Sequence, residues 1–417
     1  MSDLAVVHTP SFLNASIKEN NMVLSKENRE MTALSGKSGF GNAKNDFECD
    51  IQSSDVLDGS TLQLRGLLTV NSAEAGTVNL SGLGAYSLIP QITIEYNGQP
   101  ILNLTQDADH IAYINSTLHD DDTQLAIHQL TALAGKNLNT NTAYSFALDL
   151  SQYGSALKYF LVTGSVARMK VRIRFQTDLP RCFNTATQDI TGYELNDLRL
   201  TGDFMTFQAK AYDAIVRQLQ GANGIKMATH SFVPSRDVLQ AGALNHRIQG
   251  SYQYRNLVSV FYVPVPTTYA VGAHNVADED YIANATYTGD EYPKNQRIRL
   301  AGMNYVNQNG SSGVSNKMEH FMGVYKASLR TPTETAIASK LTEAFSDDTF
   351  QISGASFVRG NDNLVEIRNS GTNAYSARGI LETEFDTTVA QDNKTLLTVG
   401  VITTVLDIKN GQASVLK

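Results

Sequence analysis

Apolar and polar positions alternate most sharply between residues 144 and 175. Tyr144, Phe146, Leu148 and Leu150 are separated by small or polar residues, and a Gly/Ser break leads into the apolar run Tyr159, Phe160, Leu161, Val162. Then Met169, Val171, Ile173 and Phe175 fall on one side and Lys170, Arg172 and Arg174 on the other. Side chains on a strand point to opposite faces in turn, so this segment predicts a strand with one buried and one wet face. After a further strand-like run at 195–200 the period changes. Phe204, Phe207, Ala211, Ile215 and Leu219 recur at spacings of three and four, which predicts a helix within 203–224 that stops at Gly221 and Gly224. A β-rich unit closes, one helix follows, and a second β-rich unit opens.

The flanks fill in both units. Phe47, Cys49 and Ile51 alternate, as do Leu62, Leu64, Leu68 and Val70, with Gly66 as a candidate bulge. Ile92, Ile94 and Tyr96 run into Asn97-Gly98, a strong signal for a two-residue hairpin, and Pro100 places the returning strand at an edge. Residues 107–134 turn helical through Ile111, Ile114, Leu118, Leu125 and Leu130, with Asp120-Asp121-Asp122 separating two short helices. Beyond the linking helix, Leu257–Val263 is apolar on both faces and predicts a central strand. A long loop spans 265–295, Arg297–Leu300 is a strand, 333–345 a helix, and 364–367, 377–385 and 396–408 supply closing strands. The fold class is therefore all-β: two consecutive sandwiches, short helices in loops and one linking helix. The expected division is an arm over 1–45, a first unit over 46–202, the linking helix over 203–224 and a second unit over 225–417.

A chain of 417 residues suits two domains, and 42% apolar residues suffice for two cores. The arm is polar, with balanced charges and glycines at 36, 39 and 41, and reads as mobile until a partner orders it. The net charge of −8 argues against nucleic-acid binding, which needs clustered Lys and Arg. Two cysteines form no disulfide framework, and the first ten residues lack the charged and apolar regions of a signal peptide, so cytoplasmic synthesis is expected.

Candidate chemistry is sparse. Gly36-Lys37-Ser38 resembles the end of a phosphate-binding loop, but Met31 stands where its first glycine belongs. His119 beside three aspartates has the ligand types for a divalent cation, with His128 nearby, yet a solvated turn explains the same residues. Cys182 follows Pro180-Arg181, where a cation favours thiolate, although a lone cysteine at a strand end is more often a packed thiol. The ladder Arg168, Lys170, Arg172, Arg174 reads as a wet or subunit-facing strand face. No nucleophile elbow, zinc motif or dinucleotide fingerprint occurs. No catalytic, cofactor-binding or metal-binding residue is assigned, no cofactor is expected, and the chain is not expected to be an enzyme.

The order of these features resembles the double jelly-roll major capsid proteins of icosahedral DNA viruses. Asn97-Gly98 after the 92–96 strand resembles that family's strand and turn. The 144–150, 159–162 and 169–175 segments look like its closing strands, and 198–220 looks like its linking strand and helix. Asn245-His246 ahead of 257–263 is similar to an Asn-His element of its second roll. Leu300-Ala301-Gly302 departs from the leucine-Asn-Gly found there.

What the resemblance implies is two eight-stranded jelly rolls per chain and a homotrimer forming a pseudo-hexagonal capsomer of a virion shell. It also implies neighbouring capsomers, penton and minor capsid proteins as partners, and an internal lipid membrane reached by the arm. The rival reading is a two-sandwich adhesin or carbohydrate-binding protein, weakened by the absence of Trp and of a signal peptide. A β-sandwich hydrolase would need an acid pair that the sequence does not reveal.

Overall fold

The fold follows from a computed structural model, which describes residues 23–80, 84–119, 122–164, 167–184, 190–252, 257–266, 294–307, 353–357, 380–386 and 394–416. The strands of the first unit are β1 (Val23–Thr32), β2 (Asp46–Ile51), β3 (Val56–Ser72), β4 (Thr77–Leu80), β5 (Gln91–Tyr96) and β6 (Gln99–Leu104). After helices α1 (Ala108–His119) and α2 (Asp122–Thr131) come β7 (Asn137–Asn139), β8 (Ala143–Asp149), β9 (Phe160–Val162), β10 (Met169–Arg174), β11 (Phe183–Asn184) and β12 (Ile190–Phe207). Helix α3 (Ala209–Gln220) leads to β13 (Ile225–Val238), β14 (Asn245–Ser251), β15 (Leu257–Pro266), β16 (Lys294–Leu300) and β17 (Met303–Asn307). The chain closes with β18 (Ser353–Ser356), β19 (Ile380–Asp386), β20 (Lys394–Lys409) and β21 (Gln412–Leu416).

Two sheets make each unit. In the first, sheet A runs β1-β12-β3-β8 and sheet B runs β2-β10-β5-β6; β4, β7 and β11 form a small third sheet. In the second, sheet C runs β13-β20-β15-β18 and sheet D runs β14-β19-β16-β17. Setting β4, β7, β9, β11 and β21 aside leaves eight strands per unit. Numbered in chain order, both units pair as 1-8-3-6 over 2-7-4-5, the topology of a jelly roll.

The predicted alternation is visible in β10, where Met169, Val171 and Ile173 are buried and Lys170, Arg172 and Arg174 face out. Asn97 (φ 53°) and Gly98 (φ 76°) both sit in the left-handed region, as a type I′ hairpin turn requires, and Pro100 lies on the edge strand β6. The bulge expected at Gly66 falls on the opposite strand: Asn196 and Arg199 pair with Leu67 and Arg65, so Asp197 (φ 52°) and Leu198 together stand against the single residue Gly66. Gly66 is nonetheless needed there, because a Cβ on it would lie 2.6 Å from the Leu198 side chain.

Sheet C explains why β15 is apolar on both faces. Leu257, Val260, Tyr262, Leu396 and Ile402 line the second roll's own interior, against Leu300, Leu381 and Phe385 of sheet D. Phe261, Val263, Val265, Leu397, Val399 and Val401 turn the other way and join the apolar core of the first roll. The two rolls thus share one continuous hydrophobic contact, with sheet C between the first roll and sheet D.

Two expectations are corrected. Residues 23–45 are not an arm: β1 pairs along β12, and Phe40 is fully buried between Phe47 and Phe175, with centroids 5.7 and 5.8 Å away. Of the expected arm only 1–22 lies outside the described residues. The helix begins at Ala209; Phe204 and Phe207 belong to β12, whose ladder to β1 and β3 overrides their helix-like spacing. Only Ile215 and Leu219 of the predicted stripe are buried on α3. The 265–295 loop, except the strand residues at its ends, the 333–345 helix and the 364–367 strand lie outside the described residues.

Candidate functional site: the junction of the rolls and two charged sheet faces

The main polar feature inside the described structure lies where the rolls meet. Asp107 (φ 59°) precedes α1, and its carbonyl accepts from the Ile111 amide; Asp109 and His110 form the first turn. All three are buried. Asp107 and His110 lie four residues before Ile111 and Ile114, so they extend the helix's buried stripe. Arg181, brought in by the turn before β11, grips Asp109 in a fork, with Nε donating to Oδ2 at 2.8 Å and Nη2 to Oδ1 at 2.7 Å. Arg236 reaches across from β13 of the second roll to Asp107, with Nε donating to Oδ2 at 3.1 Å and Nη2 meeting Oδ1. His110 Nδ1 lies 3.2 Å from both Asp109 Oδ1 and Arg181 Nη2.

Burial alone would push the Asp109 carboxyl up. The adjacent Arg181 guanidinium and His110 outweigh it and hold the group well below the usual carboxylate range. Asp107, Asp109 and His110 bring potential metal-ligand atoms within 4.8 Å of one another. Two carboxylates already matched by two forked guanidiniums leave no charge for a cation to neutralise, so the cluster reads as a latch between rolls. The sequence reading missed it. Its local signal, Asp-x-Asp-His opening an amphipathic helix, lacks the arginines, which lie 72 and 129 residues further on.

A second contact crosses the same junction. The tip of the β20–β21 hairpin, Asn410-Gly411, repeats the left-handed pair of Asn97-Gly98, and Asn97 Nδ2 donates to the Gly411 carbonyl at 2.8 Å. The Asn410 amide donates to the Gly221 carbonyl at 3.1 Å, fastening this hairpin to the end of α3.

The predicted candidates fall elsewhere. Gly36-Lys37-Ser38 forms a turn laid on β12, where the Lys37 carbonyl accepts from the Leu198 amide at 2.8 Å, and it neither follows a strand into a helix nor opens one. Cys182 is fully buried and its Sγ donates to the Ser87 carbonyl at 3.3 Å; burial pushes the thiol up, the reverse of activation. Cys49 is likewise pushed up to about 12 by burial. His119 ends α1, Asp122 begins α2, and the aspartates between lie outside the described residues. The half-buried His128 ring packs near Tyr86, with centroids 5.6 Å apart. His246 is buried with its ring 5.1 Å from that of Phe385, while Asn245 Nδ2 donates to Asp386.

Arg168 lies just ahead of β10, and the other three residues of the basic ladder are engaged across sheet B. Lys170 pairs with Glu48, Arg172 with Glu48 at 3.4 Å and Glu95 at 3.0 Å, and Arg174 with Asp46 at 3.5 Å. Sheet D carries a ladder of its own. Arg247 meets Glu382 and Glu384, each at 3.3 Å, and Arg299 meets them at 3.7 and 3.6 Å.

With the geometry in hand, comparison with solved structures is decisive for the fold. The chain is similar to the subunit of the PBCV-1 virus capsid in its quasi-atomic model, with TM-score 0.65 and 12% identity over 97% of this chain and 99% of that one. It is similar to the Faustovirus major capsid protein (TM-score 0.55, 10% identity, 94% and 92% covered) and to the mavirus major capsid protein (TM-score 0.51, 10% identity, 99% and 95% covered). This is the double jelly-roll capsid fold. No protein-family model and no curated protein sequence matches the chain. At such identities the likeness lies in backbone and topology, the level at which the two 1-8-3-6 over 2-7-4-5 rolls were recognised above.

Proposed function

We propose that this chain is a major capsid protein, a structural subunit that assembles as a homotrimer into pseudo-hexagonal capsomers of an icosahedral virion shell. The observation that carries the reading is the fusion of two topologically identical rolls through a second buried face on sheet C. Three such chains closed about a three-fold axis place six rolls around a ring. The likeness in fold to viral major capsid proteins over nearly the whole chain supports it. The polar residues gathered in the junction act as structural fastenings, and function resides in surfaces rather than in catalysis. Neighbouring capsomers, penton and minor capsid proteins are the partners this role requires, with residues 1–22 as the segment available to reach an adjacent subunit or an internal membrane.

Mass and shape of the purified protein test the proposal. Light scattering should give three times 45.4 kDa, and negative-stain images a six-sided outline. A protein that stays monomeric across pH, salt and concentration, and that binds glycans, would overturn it in favour of an adhesin.

A further inference from the structure

Sheets B and D hold the same position in their rolls, so their residues can be matched through the central strands. Met169, Val171 and Ile173 of β10 point inward as Leu381, Thr383 and Phe385 of β19 do. The outward residues between them are Lys170, Arg172 and Arg174 on β10, and Glu382, Glu384 and Asp386 on β19. These three matched outward positions carry opposite signs. Each flanking strand also inverts at one matched position. Glu48 lies opposite Arg172 where Arg247 lies opposite Glu384, and Glu95 lies opposite Lys170 where Arg299 lies opposite Glu382. At these positions one face reads negative, positive, negative across its three strands and the other positive, negative, positive.

A ladder that only knits its own sheet works with either polarity. Two faces that must meet work only with opposite ones. We propose that the outer face of sheet B in one copy of the chain docks on the outer face of sheet D in another, as the lateral contact between capsomers. This rests on the trimeric reading above. In a three-fold capsomer the two rolls alternate around the outline, so opposite edges belong to different rolls. When capsomers of one orientation tile by translation, each first-roll edge meets a second-roll edge. The second copy is therefore the occupant that both charge and tiling select. The faces are open to it: Arg172, Arg174 and Arg247 side chains are 49%, 55% and 56% exposed. Sheet D is turned away from its own first roll by the intervening sheet C. Exposed charges act over about 10 Å at 0.1 M salt, so the contact is set by ionic strength.

The test is a double-mutant cycle on trimer–trimer attraction, read by sedimentation equilibrium at low and high salt, with trimer mass and thermal melting measured alongside. One variant is Arg172→Glu with Arg174→Glu, a second is Glu384→Arg with Asp386→Arg, and the third combines all four. Each pair should weaken attraction between trimers at least tenfold at low salt while the trimer persists. The fourfold variant should return it to within a few-fold of wild type, although its two altered ladders lie in separate sheets and should lower melting additively. If a reversal unfolds the chain, Arg172→Gln and Glu384→Gln replace it and should each flatten the salt dependence. Wild-type trimers without attraction at low salt, unaltered attraction in either pair, or no recovery in the fourfold variant would overturn the docking and leave the trimer standing. A chain that never forms trimers overturns the capsomer reading and this inference with it.

Discussion

Sheets A and C occupy the same place in their rolls and pair in the same order, yet one has a single buried face and the other has two. The outer surface of sheet A carries residues such as Arg65, Leu67 and Arg199 and is partly exposed. On β20, Leu397, Val399 and Val401 take the corresponding outward positions and are all but fully buried against the first roll. The difference teaches that topology and side-chain chemistry separate cleanly. The 1-8-3-6 order needs only one apolar face; the second apolar face of sheet C is what makes two rolls one molecule.

The largest effect comes from cutting at the start of that comparison. Strand β1 opens sheet A as β13 opens sheet C. Deleting residues 1–45 removes β1, its pairing with β12 and the buried Phe40, and should leave insoluble or unfolded protein. Deleting residues 1–22 should leave the melting temperature within about 1 °C. A folded 46–417 core from the longer deletion, seen by circular dichroism and gel filtration, would show that β1 is dispensable.

Next is the polar half of the junction. Arg181→Gln strips the fork from a fully buried Asp109 and should cost about 3–5 kcal/mol at pH 7, measured by denaturant unfolding. The pH dependence has a defined sign. Asp109 is held below its usual value of 3.8 in the folded protein, so the stability it confers is complete above that pH and is lost as pH falls through the folded value. The deficit of the variant should therefore shrink on acidification below about pH 4. A deficit independent of pH would mean that Arg181 acts by packing alone.

The apolar half is weaker per residue. Leu397→Ala should cost about 2–5 kcal/mol, because a cavity opens between the rolls. Arg65→Ala, on the outer face of sheet A, should change stability by less than about 0.5 kcal/mol. Equal losses would erase the distinction between the sheets.

How much of this was readable in advance follows the same line. The alternation in β10 and the doubly apolar β15 were legible, because burial of one or two faces writes itself into period and composition. Strand β1 was not. It is an edge strand whose residues are mostly exposed, held by its ladder to β12 and by pairs such as Lys26–Asp203 at 3.0 Å and Arg29–Asp55 at 2.6 Å, so its sequence reads like a solvated tail. The latch was hidden for another reason: three of its members are neighbours, but Arg181 arrives only when the first roll folds and Arg236 only when the second roll docks on it.

The smallest effect lies in a turn that departs from its equivalents. Among the described residues, three two-residue hairpin turns have both central residues left-handed: Asn97-Gly98, Asn410-Gly411 and Ala301-Gly302. Asparagine tolerates this conformation through local hydrogen bonding of its short side chain, whereas alanine gains nothing and bears the Cβ clash, at about 1–2 kcal/mol. Sheet D overcomes that cost at Ala301 (φ 52°), where the pairs Leu300–Met303 and Leu300–Leu381 and a 2.9 Å bond from the Ala301 amide to the Ile380 carbonyl fix the backbone. Ala301→Asn should therefore stabilise the protein by roughly 0.5–1 kcal/mol, while Asn97→Ala should destabilise it by more than the same amount, because it also loses the bond to Gly411. Denaturant unfolding of the two variants decides the matter. No gain from Ala301→Asn would mean that the ladder of sheet D, and not the turn, sets the energy of this hairpin.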